Sequence, residues 1–287
     1  MNLEGRREST NVDDRRGMSG GTKAGMGIGG GAIVIALIVM LLGGDPTSVL
    51  EQMGTQTTTE QTTGEVEFTQ EEQELASFAK KILAGTEDVW TAQFAKYGYE
   101  YQAPKMVLYT NYTTSGCGNA SSSVGPFYCS ADQTVYIDLS FFTSMKQSIG
   151  ADGDLAYAYV IAHEVGHHVQ YLLGTLGKAH QQMNQTTKTK ANEISVRLEL
   201  QADYYAGVWA NNDDAKYNSI DDQDIANALN CASKIGDDYL QKKAQGYVVS
   251  DSFTHGTAKQ RYTWLKKGMT YGDIEHGDSF SPAYSAL

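Results

Sequence analysis

The sequence predicts an α+β domain: a small antiparallel β element and a mainly helical body, preceded by one N-terminal transmembrane helix. Three observations predict it. Segments rich in β-branched and aromatic residues gather before residue 140. Beyond Gly150 the apolar residues recur with helical spacing almost to the end. Residues 24–44 carry no charge and contain the run AIVIALIVMLL. Strands gathered early and helices gathered late are the pattern of an α+β fold.

The chain divides into four stretches. Residues 1–23 hold Arg6, Arg7, Arg15, Arg16 and Lys23. Residues 24–44 reach the roughly 20 apolar residues that just span a bilayer as a helix. The basic flank predicts, by the positive-inside rule, a single-pass membrane protein with a cytoplasmic N-terminus and an exported, periplasmic or extracellular domain. A cleaved signal peptide competes with an uncleaved anchor; the long basic region and the lack of a small-residue cleavage site weigh against it. Residues 45–66, rich in Thr, Gln and Gly, read as a flexible linker. The folded domain is expected over 67–287.

Within that domain Thr69 and Glu72 fit a capping box, and Leu75, Phe78, Ala79, Ile82 and Leu83 form one apolar helix face. A second helix is expected over 87–96. Residues 105–109 and 134–139 read as strands, with 127–130 able to pair with the latter through a turn at 131–133. Long helices are expected over 154–173, 191–210 and 222–243, and a shorter one over 257–267.

The net charge is −12 over 287 residues. A surface that acidic excludes nucleic acid as a partner, because phosphate recognition needs clustered Lys and Arg. Of the three cysteines, Cys117 and Cys129 bracket a Gly/Ser-rich loop, where a disulfide would close a short ring in an oxidising compartment. Cys231 falls in an apolar helical pattern and reads as a buried free thiol.

Residues 161–170 read IAHEVGHHVQ. His163 and His167 are four apart, so on a helix their imidazoles stack on adjacent turns and can reach one ion. Glu164 projects to the side, where it can take a proton from a metal-activated water. The motif alone does not separate a metal site from polar residues on a wet helix face. Its apolar setting does more, since unpaired polar groups there would be costly to bury. The later stretch RLELQADYYAGVWA offers Glu199 and Asp203 on one face. Glu199 can complete a His2Glu site for one zinc ion, and Asp203 can accept the outer ring N–H of a ligand histidine. A solvated acidic face is the alternative for this pair. In FTHGTAKQRYTWL, His255 at a loop-to-helix boundary can donate to a developing oxyanion, and Arg261 can orient a carboxylate such as Glu199. A simply solvated loop histidine competes with that role. His168 points away from the pair and is structural, and His180 and His276 have no supporting context.

These motifs resemble the bacterial, membrane-anchored neutral zinc metallopeptidase family. The likeness runs from RRESTNVDDRRG through CG…GPFYC…VYIDLSFF, HEVGHHVQ and RLELQADYYAGVWA to SFTHGTAKQR. A more distant likeness is to gluzincins of the CAAX-prenyl-protease and HtpX kind, in which H-E-x-x-H, E-x-x-A-D and T-H-P…R elements recur. The resemblance implies a zincin-like domain with His163, His167 and Glu199 as zinc ligands, Glu164 as base and His255 as transition-state donor. Arg261 would support the ligand carboxylate. Gly256 stands where that pattern has proline, and one predicted span replaces several, so a membrane-embedded substrate chamber is not carried over. The expected function is a membrane-anchored zinc endopeptidase acting on a peptide or protein. The rivals are a silent zinc-binding scaffold and a zinc amidase acting on cell-wall peptides.

Overall fold

Thr69 opens the first helix of the body, with its side chain on the Glu72 N–H and the Glu72 carboxylate returned to the Thr69 N–H. A computed structural model describes residues 1–17 and 67–287. In chain order its elements are β1 (Val12–Asp14), α1 (Gln70–Lys96), β2 (Lys105–Tyr109), β3 (Tyr112–Ser115), β4 (Gly118–Ser121), β5 (Phe127–Cys129) and β6 (Thr134–Asp138). Then come α2 (Ser140–Ile149), α3 (Asp154–Leu172), α4 (Thr175–Met183), α5 (Lys188–Tyr217), α6 (Asp222–Lys234), α7 (Asp237–Gln245) and α8 (Ala258–Tyr271). The class is α+β, helix-rich with two small sheets.

The larger sheet has the order β1-β2-β6-β5. Its β1–β2 and β2–β6 pairs are parallel, and β5–β6 is antiparallel. The expected purely antiparallel element is therefore a mixed sheet. Parallel pairing requires the chain to return to its starting end; the β3–β4 hairpin leaves and rejoins the sheet at the C-terminal end of β2, and β5, antiparallel to β6, makes the return. Phe127–Cys129 does pair with β6 through the turn at 131–133, as its sequence predicts. Cys117 and Cys129 are joined by a disulfide that ties the hairpin to the edge strand β5.

The helix α3 is the axis of the body. Of its 19 residues 14 are buried, which is what a helix apolar on every side requires. Ile161, Val165 and Val169 are fully buried within the main core, alongside Trp90, Tyr204 and Trp209. Burial of each such aliphatic side chain contributes about 1.5–3 kcal/mol.

The helices are divided differently from the expected pattern in two places, and the one expected over 191–210 runs on to Tyr217. The helices expected on either side of residues 84–86 are one, α1, because its buried face continues through Val89, Trp90 and Phe94, and the Thr86 hydroxyl donates back to the Leu83 carbonyl. Conversely, 222–243 is two helices. The chain breaks before Asp237, where Gly236 packs so closely on Ala258 that a Cβ would lie 2.2 Å from its nitrogen.

The expected membrane topology is corrected. Residues 24–44 and 45–66, the predicted anchor and linker, lie outside the described residues. Among the described residues, no helix is long and apolar enough to cross a membrane. Residues 1–17, expected on the far side of a bilayer, belong to the body instead. The strand β1 extends the sheet beside β2. Arg6 pairs with the fully buried Asp213, and Arg7 with Glu87 and Asp88. The arginines read as topology signals are ion-pair partners of the fold. A single crossing between 24 and 44 would place these partners on opposite faces of the membrane, so a cytoplasmic N-terminus with an exported domain does not describe this molecule. Arg6→Ala leaves Asp213 buried with Ser219 as its one remaining side-chain donor among the described residues. It should lower unfolding free energy by about 2–3 kcal/mol in urea titration, and a change within error of zero would show that the N-terminal segment adds nothing to stability.

Candidate metal centre

The centre forms where α3 crosses α5. Gly166 sets the distance of approach: a Cβ there would lie 2.9 Å from the Ala202 carbonyl oxygen, so only glycine lets the two backbones touch between the histidine pair and the carboxylates. On one side of that contact His163 and His167 stand a turn apart, ring centroids 4.8 Å from each other. From α5, Glu199 brings Oε2 to 3.1 Å from His163 Nε2 and Oε1 to 3.4 Å from His167 Nε2. The three donors lie within 4.8 Å of one another. A tetrahedral zinc with bonds of about 2.0–2.1 Å separates its donors by about 3.4 Å, so the spacing fits such an ion.

Each imidazole is held from behind. His163 Nδ1 donates to Asp203 Oδ1 at 2.9 Å, and His167 Nδ1 donates to Gln170 Oε1 at 2.9 Å. Both rings thereby carry the outer proton on Nδ1 and turn Nε2 toward Glu199. Asp203, fully buried, also accepts from the Tyr159 hydroxyl at 2.5 Å and from Arg261 through Nε at 2.9 Å and Nη2 at 2.8 Å. Gln170 is fixed in turn by donating to the Leu198 carbonyl. Such outer partners orient ligands and raise their basicity.

The electrostatics favour a cation at the centre. Burial opposes the protonated form of His163, but the Asp203 and Glu199 carboxylates outweigh it and lift its pKa to about 10. Burial would raise Glu199, yet His167 and His255 hold it well below the usual carboxylate range. Glu164 behaves oppositely: burial pushes its pKa up, and the neighbouring histidines offset only part of that. A carboxylate with a raised pKa is suited to taking and returning a proton near neutrality.

The centre opens into a cleft of about 620 Å³ that Glu164, His255 and Arg261 also line. Its walls are mostly apolar, including Phe127, Phe141, Val160 and Leu240. Arg261 was expected on Glu199 and instead grips Asp203, because α8 crosses α5 a turn beyond the ligand carboxylate. His168 packs away from the centre between the Tyr128 hydroxyl and the Gln102 carbonyl. His180, read as without context, lines the cleft. His276 is exposed against Asp273 and Tyr271. Cys231 is a buried free thiol. Sequence reasoning missed Gln170 and Tyr159, although both had a signal: each sits three or four residues from a motif histidine, on the same face of an apolar helix.

A family model described as "Putative neutral zinc metallopeptidase" matches residues 1–280. The chain belongs to this family. Among relatives of this metallopeptidase family member is the uncharacterised protein YpfJ of Escherichia coli K12, 47% identical over 98% of this chain and 99% of its own length. The uncharacterised protein Rv2575 of Mycobacterium tuberculosis H37Rv is 42% identical over 64% of each chain. No solved structure matches the chain. Zinc is the metal that the family's name implies, and His163, His167 and Glu199 form a group able to hold it.

Proposed function

We propose that the chain is a zinc-dependent peptidase, with His163, His167 and Glu199 as ligands of one zinc ion and Glu164 as general base. The observation that carries this reading is the convergence of three donors, two of them imidazoles each held from behind by its own partner, beside a buried carboxyl of raised pKa in an open cleft. A bound zinc supplies Lewis acidity, polarising a carbonyl and lowering the pKa of water. Glu164 accepts the proton of the attacking water and passes it to the leaving nitrogen. His255 donates a hydrogen bond to the carbonyl oxygen as negative charge develops there. Asp203 and Gln170 keep the ligand imidazoles in the tautomer that leaves Nε2 bare. The edge strand β5, whose Phe127 and Tyr128 line the cleft, offers unpaired backbone groups to an extended peptide. The apolar walls favour peptide side chains over a glycan-bearing cell-wall substrate.

Metal analysis of the purified protein should give one zinc per chain, and Glu199→Ala should lower that content severalfold after dialysis. Chelation should stop peptide hydrolysis and added zinc restore it. Zinc content unchanged in Glu199→Ala, or hydrolysis indifferent to chelator, would overturn the assignment.

A further inference from the structure

Asp237, the first residue of α7, is fully buried and takes no part in the centre described so far. Its Oδ2 accepts three consecutive backbone N–H groups, from Thr254 at 2.8 Å, His255 at 2.7 Å and Gly256 at 2.9 Å. Its own N–H donates to the Gly256 carbonyl at 2.8 Å. The second oxygen, Oδ1, is buried, has no hydrogen bond among the described residues, and lies 3.4 Å from His255 Nδ1. A buried carboxylate oxygen left unmatched is costly, so its orientation toward one ring nitrogen calls for a reason.

We propose that Asp237 is the positioning residue for His255: one oxygen fixes the 254–256 backbone, and the other holds the Nδ1–H of a ring protonated on both nitrogens, so that an Nε2–H donor is presented to the cleft. The inference rests on the zinc-peptidase reading for its consequence in turnover, but not for the proton position itself. The Thr254 hydroxyl, 3.0 Å from Nδ1, shares that nitrogen. Were Nδ1 a bare acceptor, its lone pair would face a carboxylate oxygen across 3.4 Å, which is repulsive. With the proton there, the charge on Asp237 and the ring dipole are aligned.

The same arrangement accounts for Gly256 in place of the proline of the resembling T-H-P pattern. Gly256 has φ +96°, a conformation closed to proline, whose φ is fixed near −65°. It also supplies one of the three N–H groups on Asp237 Oδ2, which proline lacks. Here a carboxylate clamp on three amides holds the loop that carries the histidine.

Asp237→Asn separates the two roles. The three backbone donors must face the carboxamide oxygen, because its NH2 would oppose them. The NH2 is then left toward His255 Nδ1 and pairs with it only as a bare acceptor, so the ring gives up its Nδ1 proton to solvent and keeps a single proton on Nε2, a weaker donor than the doubly protonated ring. In nitrogen-15 spectra of the full chain, His255 Nδ1 should carry a proton in the wild type and lose it in Asp237→Asn. On a fluorogenic peptide kcat should fall roughly 10–100-fold, with KM changed less than about twofold and zinc content unchanged. In a His255→Ala background the same substitution should cost nothing further. A bare Nδ1 in the wild type, or an equal loss with and without His255, would overturn the proposal. Absence of hydrolysis in the wild type with Nδ1 protonated would overturn the peptidase reading and leave the Asp237 clamp standing.

Discussion

Glu164→Gln should abolish peptide hydrolysis, lowering kcat by about 10³-fold, while one zinc per chain remains bound. The substitution preserves shape: glutamine matches glutamate in volume, and none of the three donors changes. What it removes is the ability to take a proton. Glu164 is placed for that task, being buried on α3 beside His163 and facing the cleft. Burial raises its pKa, so it is a stronger base than a solvated carboxylate, and once protonated it still gives the proton up to a leaving amine far more readily than water would. The same variant separates the rival readings. A silent scaffold gives no hydrolysis in either form, with identical behaviour on every peptide. A cell-wall amidase gives the same loss on muropeptides but not on denatured proteins. Retention of more than about a tenth of wild-type kcat would show that another group moves the proton, and His255 would then be the residue to examine.

The sequence made the centre more legible than its surroundings. The spacing of His163 and His167 states a geometry outright, because residues four apart on a helix must be neighbours. Glu199 and Asp203 follow the same logic, and the meeting of the two pairs is foreshadowed by Gly166, which has no reason to sit in a long helix except a close crossing. Arg261 was assigned the wrong carboxylate because sequence places it on a helix but says nothing about which turn of α5 that helix crosses. Asp237 was invisible: its three partners lie 17–19 residues away, in a loop whose shape depends on Gly256 having a positive φ. The N-terminus failed for a different reason. Arg6, Arg7 and Arg16 beside an apolar run fit a topology rule that uses only local charge, whereas their partners Asp213, Glu87 and the Glu72 carbonyl are far along the chain. The parallel β2–β6 pair was likewise hidden, since period-two alternation marks strands without giving their direction.

Asp203→Ala should be among the most destabilising single changes in the chain, costing about 3–5 kcal/mol in urea unfolding of the chelated protein. Three groups lose their acceptor at once: Arg261, 4% exposed, the Tyr159 hydroxyl, and His163 Nδ1–H. Of these the guanidinium dominates, because a buried cation cannot shed its proton to escape the penalty. Zinc affinity should also fall, by about 10–100-fold, as His163 loses the partner that fixes its tautomer. The two effects have different origins, and a second variant separates them. Asp203→Leu with Arg261→Met replaces the ion pair by apolar groups of similar bulk, and no charge is left stranded. It should recover most of the lost stability, since a buried pair removed whole costs far less than a pair broken. Zinc affinity should stay low, because nothing has been restored behind His163. If the double variant is as unstable as Asp203→Ala, the cost lies in the Tyr159 and His163 hydrogen bonds rather than in the orphaned charge. If it regains zinc, then the Asp203 carboxylate does not orient the ligand, and Tyr159 or water must hold the ring.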